Sequence, residues 1–393
     1  MININLPYSD NGIRSHKSDN QVTGSIKGNI DGLVNESENV ASTLELQTEF
    51  ATPKGATEAL IAASLQQKQI VAQMMSSNPE DAVALSLAAG IEAYGGQLEK
   101  INGWTEGGPK VVDASLIILF ESIPQREYKD PYLFLEDMFQ IALIDFVLHH
   151  EEYGMGELSE DSEFMKSVGV ILEFTGSGNH HHYFDDQNQQ LIIDAYIEVY
   201  DKLYEAAPKG SLMADAFVVI EENGGLDMLI KGLDDDVYDK NGDINDDQYI
   251  SPMLTLTVLA LAASSGVASS DQWELILGGD RETIEDIVDP NDDYDNLIHY
   301  IAVNQPPIEN GEGWWEYDED TGYWDYHAPA DYGVGYEPEY FDRMFDGFPR
   351  RELTAEEIEE VNRIGDQVKM LQQTLLYWLK ICRDEQTAMA QNI

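Results

Sequence analysis

The chain has 393 residues, 43% of them hydrophobic and 10% aromatic, which is enough for two or three domains with a substantial core and places it among globular rather than disordered proteins. Its 74 Asp and Glu against 22 Lys and Arg give a net charge of −52, which repels a phosphate backbone and an anionic lipid surface alike. Nucleic acid is thereby excluded as a partner, and self-repulsion on this scale suits a setting outside the cytosol where salt or calcium screens it.

Taken in order, residues 1–52 are rich in Ser, Asn, Gly and Asp with scattered single apolar residues, and read as a flexible polar leader. No basic stretch followed by an apolar core opens it, so a cleaved signal peptide is not the expected export route. Residues 53–102 have the pattern of a helical hairpin or of one kinked helix. Its first arm, Ala56 to Met75, carries Leu60, Ile61, Leu65, Ile70 and Val71 on a broad stripe. Asn78 caps the second arm ahead of Pro79, and Leu87, Ile91, Tyr94, Leu98 and Ile101 fall at helical spacing along it. Gly103 to Pro109 is the expected loop that ends the pair.

Residues 103–350 are predicted to be an acidic, mostly helical inserted domain. The pattern predicts helices over Val111–Ile123, after Asp130-Pro131, and over Asp161–Phe174, Gln187–Ala207, Ser211–Glu222 and Ser251–Ser264, with shorter ones around Trp273 and Ile284. The longest strongly apolar run, Met253 to Ala263, is too short to cross a bilayer. Trp314 to Tyr317 and Tyr323 to Tyr326 alternate aromatic and acidic residues around a turn of Asp, Thr and Gly, the signature of a β-hairpin. Trp314, Trp315, Tyr323 and Trp324 are then either its cross-strand cluster or a partner-binding surface. From there to Arg350 the expectation is coil.

The same domain holds the candidate chemistry. His149-His150-Glu151-Glu152 and His180 to His182 with Asp185 and Asp186 offer imidazole and carboxylate, but neither has the His-x-x-x-His spacing that puts two rings on one helical face. Asp239, Asn241 and Asp243 begin like a calcium loop. The glycine and apolar positions then fall out of step and the twelfth place has no Glu, so the stretch is a weak calcium site or an acidic turn. No nucleophile elbow, Walker loop, dinucleotide fingerprint or Cys–His dyad is present. An enzyme is therefore not expected, with no catalytic residue and no cofactor beyond weakly held calcium.

Residues 351–393 are predicted to be one coiled-coil helix. Thr354 and Glu357 write a capping box, with Leu353 and Ile358 placed for a hydrophobic staple. Val361, Ile364, Val368, Leu371, Leu375, Trp378, Cys382, Glu385 and Met389 lie on a heptad seam of alternating three- and four-residue steps. The flanking positions, Gly365, Gln372 and Leu379 on one side and Gln367, Thr374 and Ile381 on the other, are uncharged. Between Leu375 and Cys382 the helix is apolar nearly all round and must be covered by its own chain or by neighbouring copies. It reads as an assembly helix; the same pattern fits a terminal helix docked in its own core. Cys382 has no cysteine to pair with and reads as a small buried hydrophobe.

A polar Ser/Asn-rich leader, a helical hairpin, a variable middle and a C-terminal seam together resemble the extracellular proteins of bacterial type III secretion. The order is similar to that of needle-tip or hydrophilic translocator proteins and of needle-extension filament proteins, over residues 56–101 and 354–393. The resemblance implies terminal helices paired as a coiled coil, secretion to the bacterial cell surface, self-association with needle and translocator partners, and a role in virulence. It also implies a small cytosolic secretion chaperone and carries no catalytic residues. Two competing readings are a secreted or halotolerant metal-dependent hydrolase and a phage or surface structural protein.

Overall fold

The computed structural model describes residues 30–46, 63, 79–128, 131–176, 188–234, 248–304, 314–318, 323–327 and 337–391. They are mainly α-helical. Apart from a single turn at Gly156–Ser159, the helices are α1 (Ile30–Glu45), α2 (Pro79–Glu106), α3 (Val111–Ser122), α4 (Pro131–His149), α5 (Ser162–Gly176), α6 (Asn188–Ala206) and α7 (Leu212–Glu222). They continue as α8 (Gly225–Asp234), α9 (Pro252–Ser264), α10 (Trp273–Gly278), α11 (Arg281–Val288), α12 (Leu297–Asn304), α13 (Pro338–Phe345) and α14 (Ala355–Gln391). β1 (Trp314–Asp318) and β2 (Tyr323–His327) pair antiparallel, with Trp314 opposite His327 and Asp318 opposite Tyr323, and β1 lies against α12.

The hydrophobic residues separate into two cores. One belongs to α1, α2 and α14, which draw on the two ends of the chain. The other fills the inserted domain around α4, which is packed upon by α3, α5, α7, α8 and α9. Every residue of α4 from Leu135 to Val147 is buried, the polar Glu136, Asp137, Gln140 and Asp145 among them. Ser211 and Ser251 start α7 and α9, each accepting a hydrogen bond from the backbone N–H three residues on, and Pro252 occupies the first turn of α9.

α2 passes from one core to the other. Ile91 and Leu98 are buried in the bundle, while Trp104 lies in the core of the inserted domain, tilted on Trp273 at 5.4 Å and stacked on Phe348 at 6.1 Å between ring centroids. Phe348 marks the returning chain. The Arg351 N–H donates to Trp104 O at 3.1 Å and the Gly108 N–H to Phe348 O at 3.1 Å, so outgoing and incoming strands are tied side by side.

Several expectations need correction here. Residues 1–52 are not a leader without structure throughout: Leu33, Val34, Ala41 and Leu44 are buried on one face of α1, held against α14. Their steps of one, seven and three residues are helical, and the intervening Ser, Asn and Glu hide that period. The predicted loop from Gly103 to Pro109 is helix as far as Glu106, because Gly103 permits an approach in which a Cβ would meet Ala114 Cβ at 2.6 Å. The turn that follows uses Gly107 and Gly108 at φ 67° and 57°. The domain boundary at 102/103 therefore falls inside a continuous helix. α8, α12 and α13 lie in stretches with no predicted helix, and α13 occupies part of the expected coil. The helix predicted over Ala56–Met75 lies outside the described residues, except for Ala63, which is buried in the bundle core.

Candidate functional site

The bundle is the first candidate because its central helix carries the seam. The capping box forms as written: the Glu357 N–H donates to Thr354 Oγ1 at 3.1 Å and the Thr354 N–H to Glu357 Oε2 at 2.9 Å. Arg351 grips the same carboxylate with both terminal nitrogens at 2.6 Å. The staple does not close, since Leu353 packs on the bundle core but Ile358 is exposed.

Along the seam Val361, Ile364, Val368, Leu375 and Cys382 are buried, and Leu371 and Trp378 pack half-buried against the same core. Met389 belongs to α14, but its side chain lies outside those described. Gln372 and Leu379, flanking positions in the heptad reading, are also fully buried. The buried face is thus broader than a two-helix seam and turned toward Gln372 and Leu379, because α1 and α2 both lie along it. Leu371 sits over Gly90 of α2, where a Cβ would meet Leu371 Cδ1 at 3.7 Å. Gln372 Nε2 donates to Ser37 O of α1 at 3.3 Å, and Lys380 meets Glu38 at 2.7 Å. The hydrogen bond from Lys380, then its charge, holds Glu38 below the usual carboxylate range.

The second candidate is the polar cluster at the C-terminal end of α4. His149 Nδ1 lies 2.9 Å from Asp145 Oδ1 and Nε2 lies 3.2 Å from Asp113 Oδ1 of α3, so both ring nitrogens face carboxylates. Asp145 Oδ2 accepts from the Tyr153 hydroxyl at 2.9 Å and from the Met213 N–H at the start of α7 at 2.8 Å. Burial opposes the charged imidazole, but the hydrogen bonds and charges of Asp113 and Asp145 outweigh it and the His149 pKa is pushed up to about 10. This favours the protonated ring, which links α3 to α4 through the two carboxylates. His150 points its Nδ1 to Val147 O at 3.0 Å. The spacing argument from sequence missed Asp145, one helical turn before His149 on α4, and Asp113, which only the packing of α3 against α4 brings in.

A third polar knot was not visible in the sequence. Arg126 and Asp137 form a buried ion pair, Nη1 to Oδ2 at 3.3 Å, with their side chains 3% and 0% exposed. The Tyr128 hydroxyl donates to the same carboxylate oxygen, Arg126 Nη2 donates to Leu277 O at 3.1 Å, and the guanidinium lies 5.1 Å from the centre of the Tyr249 ring. It ties the α3–α4 connection to the end of α10 and reads as a structural lock.

Other predicted site residues are not brought into view. His180 to His182, with Asp185 and Asp186, and the calcium candidates Asp239, Asn241 and Asp243 lie outside the described residues. Trp314, Trp315, Tyr323 and Trp324 fall on β1 and β2, and their side chains lie outside those described. Among the described residues no group of three or more His, Cys, Asp and Glu is placed to hold a metal, and no helix is long and apolar enough to cross a membrane. No protein-family model matches the chain, and searches of curated proteins and of solved structures give no match to it.

Proposed function

We propose that this chain is an extracellular assembly protein, with the bundle of α1, α2 and α14 as its stem and the inserted helical domain as its head. The observation that carries the reading is that segments far apart in sequence, Ile30–Glu45, Pro79–Glu106 and Ala355–Gln391, share one core while the described helices between α2 and α14 build a second. A stem closed by both ends of a chain presents the inserted domain at one tip, the layout that needle-tip and needle-extension proteins of type III secretion resemble. In this reading the stem is a coiled coil, its seam running through Val361, Ile364, Val368, Leu371, Leu375 and Trp378, and the protein self-associates and meets needle and translocator proteins at the bacterial surface. A stem of this kind also suits export as an unfolded chain, since its helices close only when both ends are present.

The test is export. Cells with a working needle should release the chain, and otherwise identical cells unable to assemble a needle should retain it. Equal release from both would remove the type III secretion reading while leaving the two-part architecture intact.

A further inference from the structure

The neck between stem and head is built by two lengths of chain, the end of α2 and residues 348–357. On the head side Trp104 sits against Trp273 and Phe348, and Phe348 meets Trp273 edge to face at 4.7 Å between ring centroids. On the stem side Thr354 and Glu357 close the start of α14, about two turns ahead of Val361, where the buried seam begins.

Arg351 stands between the two. Its backbone N–H donates to Trp104 O, while its guanidinium holds both oxygens of Glu357. Glu357 Oε2 accepts from Arg351 Nη1 and from the Thr354 N–H together, so the carboxylate that caps α14 is the one that Arg351 orients. The side chains of Arg351 and Glu357 are 16% and 21% exposed, which shields them from the solvent that weakens surface pairs. The hydrogen bonds to Glu357 hold the guanidinium charged against the effect of burial, and Glu274 and Asp271, which flank Trp273 in sequence, add to the field of Glu357.

The aromatic seat and the cap are thus consecutive links in one run of contacts, from Trp273 and Phe348 through Trp104, Arg351 and Glu357 to Thr354. A contiguous run is a route, and coupling requires that its two ends change together. Gly107 lies so near the returning chain that a Cβ would meet Arg350 Cγ at 2.8 Å and Phe348 O at 3.0 Å, so a shift of one length of chain at the seat carries the other with it. The two ends are also unequal. The cap makes its reciprocal hydrogen bonds, whereas the indole N–H groups of Trp104 and Trp273 are buried with no hydrogen-bond partner among the described residues. An unpaired buried donor is costly, so the seat is the weaker end and the one at which a change starts.

We propose that Arg351 couples the two parts of the molecule: with Trp104 seated in the head, Arg351 is placed to close the cap of α14, and when the seat opens the first turn of α14 opens with it. Arg351 is a positioning residue that acts on the stem through Glu357. The device belongs to the joint between head and stem and does not depend on the secretion reading.

Amide hydrogen exchange in the full chain tests it, read at Thr354, Glu357 and Ile358, whose N–H groups are bonded in the cap. Arg351→Met should speed exchange there by about fivefold, the size of a lost cap, and leave the amides of α4 unchanged. Trp104→Ala should speed the same amides in the natural chain and add nothing in the Arg351→Met chain, because the link through which it acts is already gone. Arg351→Lys should recover part of the protection. Circular dichroism establishes that each variant folds, and Trp273→Leu replaces Trp104→Ala if the alanine variant does not. Exchange at these amides that either Arg351→Met or Trp104→Ala leaves unaltered overturns the coupling. So does a Trp104→Ala effect of equal size with and without Arg351, which would make the seat and the cap neighbours that act separately.

Discussion

Among the described residues of the stem, Ser37 and Gln372 are the buried polar side chains, whereas α4 of the head alone buries Glu136, Asp137, Gln140 and Asp145. The stem is held by an apolar strip along three helices and remains open on the outer side of α14. The head is held by side chains that each demand a particular partner: Asp137 takes Arg126 and Tyr128, Gln140 Nε2 donates to Thr175 O at 2.8 Å, and Asp145 takes His149, Tyr153 and the start of α7. Each of these bonds fixes a partner and so narrows the arrangements open to the head core, while an apolar strip tolerates a change of neighbour. The difference assigns rigidity to the head and exchangeable contact to the stem.

The largest expected effect breaks the head. Asp137→Ala would leave Arg126 buried without its carboxylate and should cost about 3–5 kcal/mol, measured as a lower denaturant midpoint. A loss under about 1 kcal/mol would mean that this knot is not what fixes the head.

Next comes the centre of the stem. Leu375 is fully buried, so Leu375→Ala should cost about 2–5 kcal/mol and Leu375→Asp more, because a charge would then sit in an apolar contact. Both losses should appear in the unfolding of the stem, with the head's own transition unmoved. Equal costs for Ala and Asp would show that the site is wet and the strip loosely packed.

A pH titration separates the two regions further. The His149 pKa is raised from its ordinary value of 6.5 to about 10, so its stabilisation is fully present below pH 6.5 and is lost as pH climbs toward 10. The head should weaken over that window, and His149→Gln should flatten the dependence. A natural chain whose stability is level from pH 6.5 to 10 would contradict the link that His149 makes between α3 and α4.

The smallest effect is at Ser37, whose hydroxyl is buried with no hydrogen-bond partner among the described residues. Ser37→Ala removes an unpaired group and should be neutral or slightly stabilising, within about 0.5 kcal/mol in a chemical melt. A loss above about 1 kcal/mol would point to a polar contact in the stem core.

The legible parts of this fold were those with a complete local signal. The Thr354 capping box, the Ser-Pro start of α9 and the long apolar period of α4 and α14 each specify an element without help from the rest of the chain. α1 was hidden because its stripe is short and set among Ser, Asn and Glu, so it gains its meaning only from α14, which lies far away in sequence. Gly103 looked like a loop residue and is instead a point of close helix approach to Ala114. Asp113 escaped as a partner of His149 for the same reason, since it comes from another helix, whereas Asp145 stands four residues before His149 on α4. The acidic composition gave every histidine a carboxylate neighbour in sequence and so concealed which carboxylates it meets in space.

The claim at the centre of the account is that α14 joins the two ends of the chain into a stem on which assembly depends. Light scattering and circular dichroism on the chain lacking residues 370–393 test it most directly. That truncation removes Leu375, Leu379 and Cys382 from the stem core. The account predicts loss of association, exposure of the apolar faces of α1 and α2, and a head that keeps its own melting transition. A truncated chain that remains soluble, folded and unchanged in mass of association would make α14 a peripheral appendage and contradict the account.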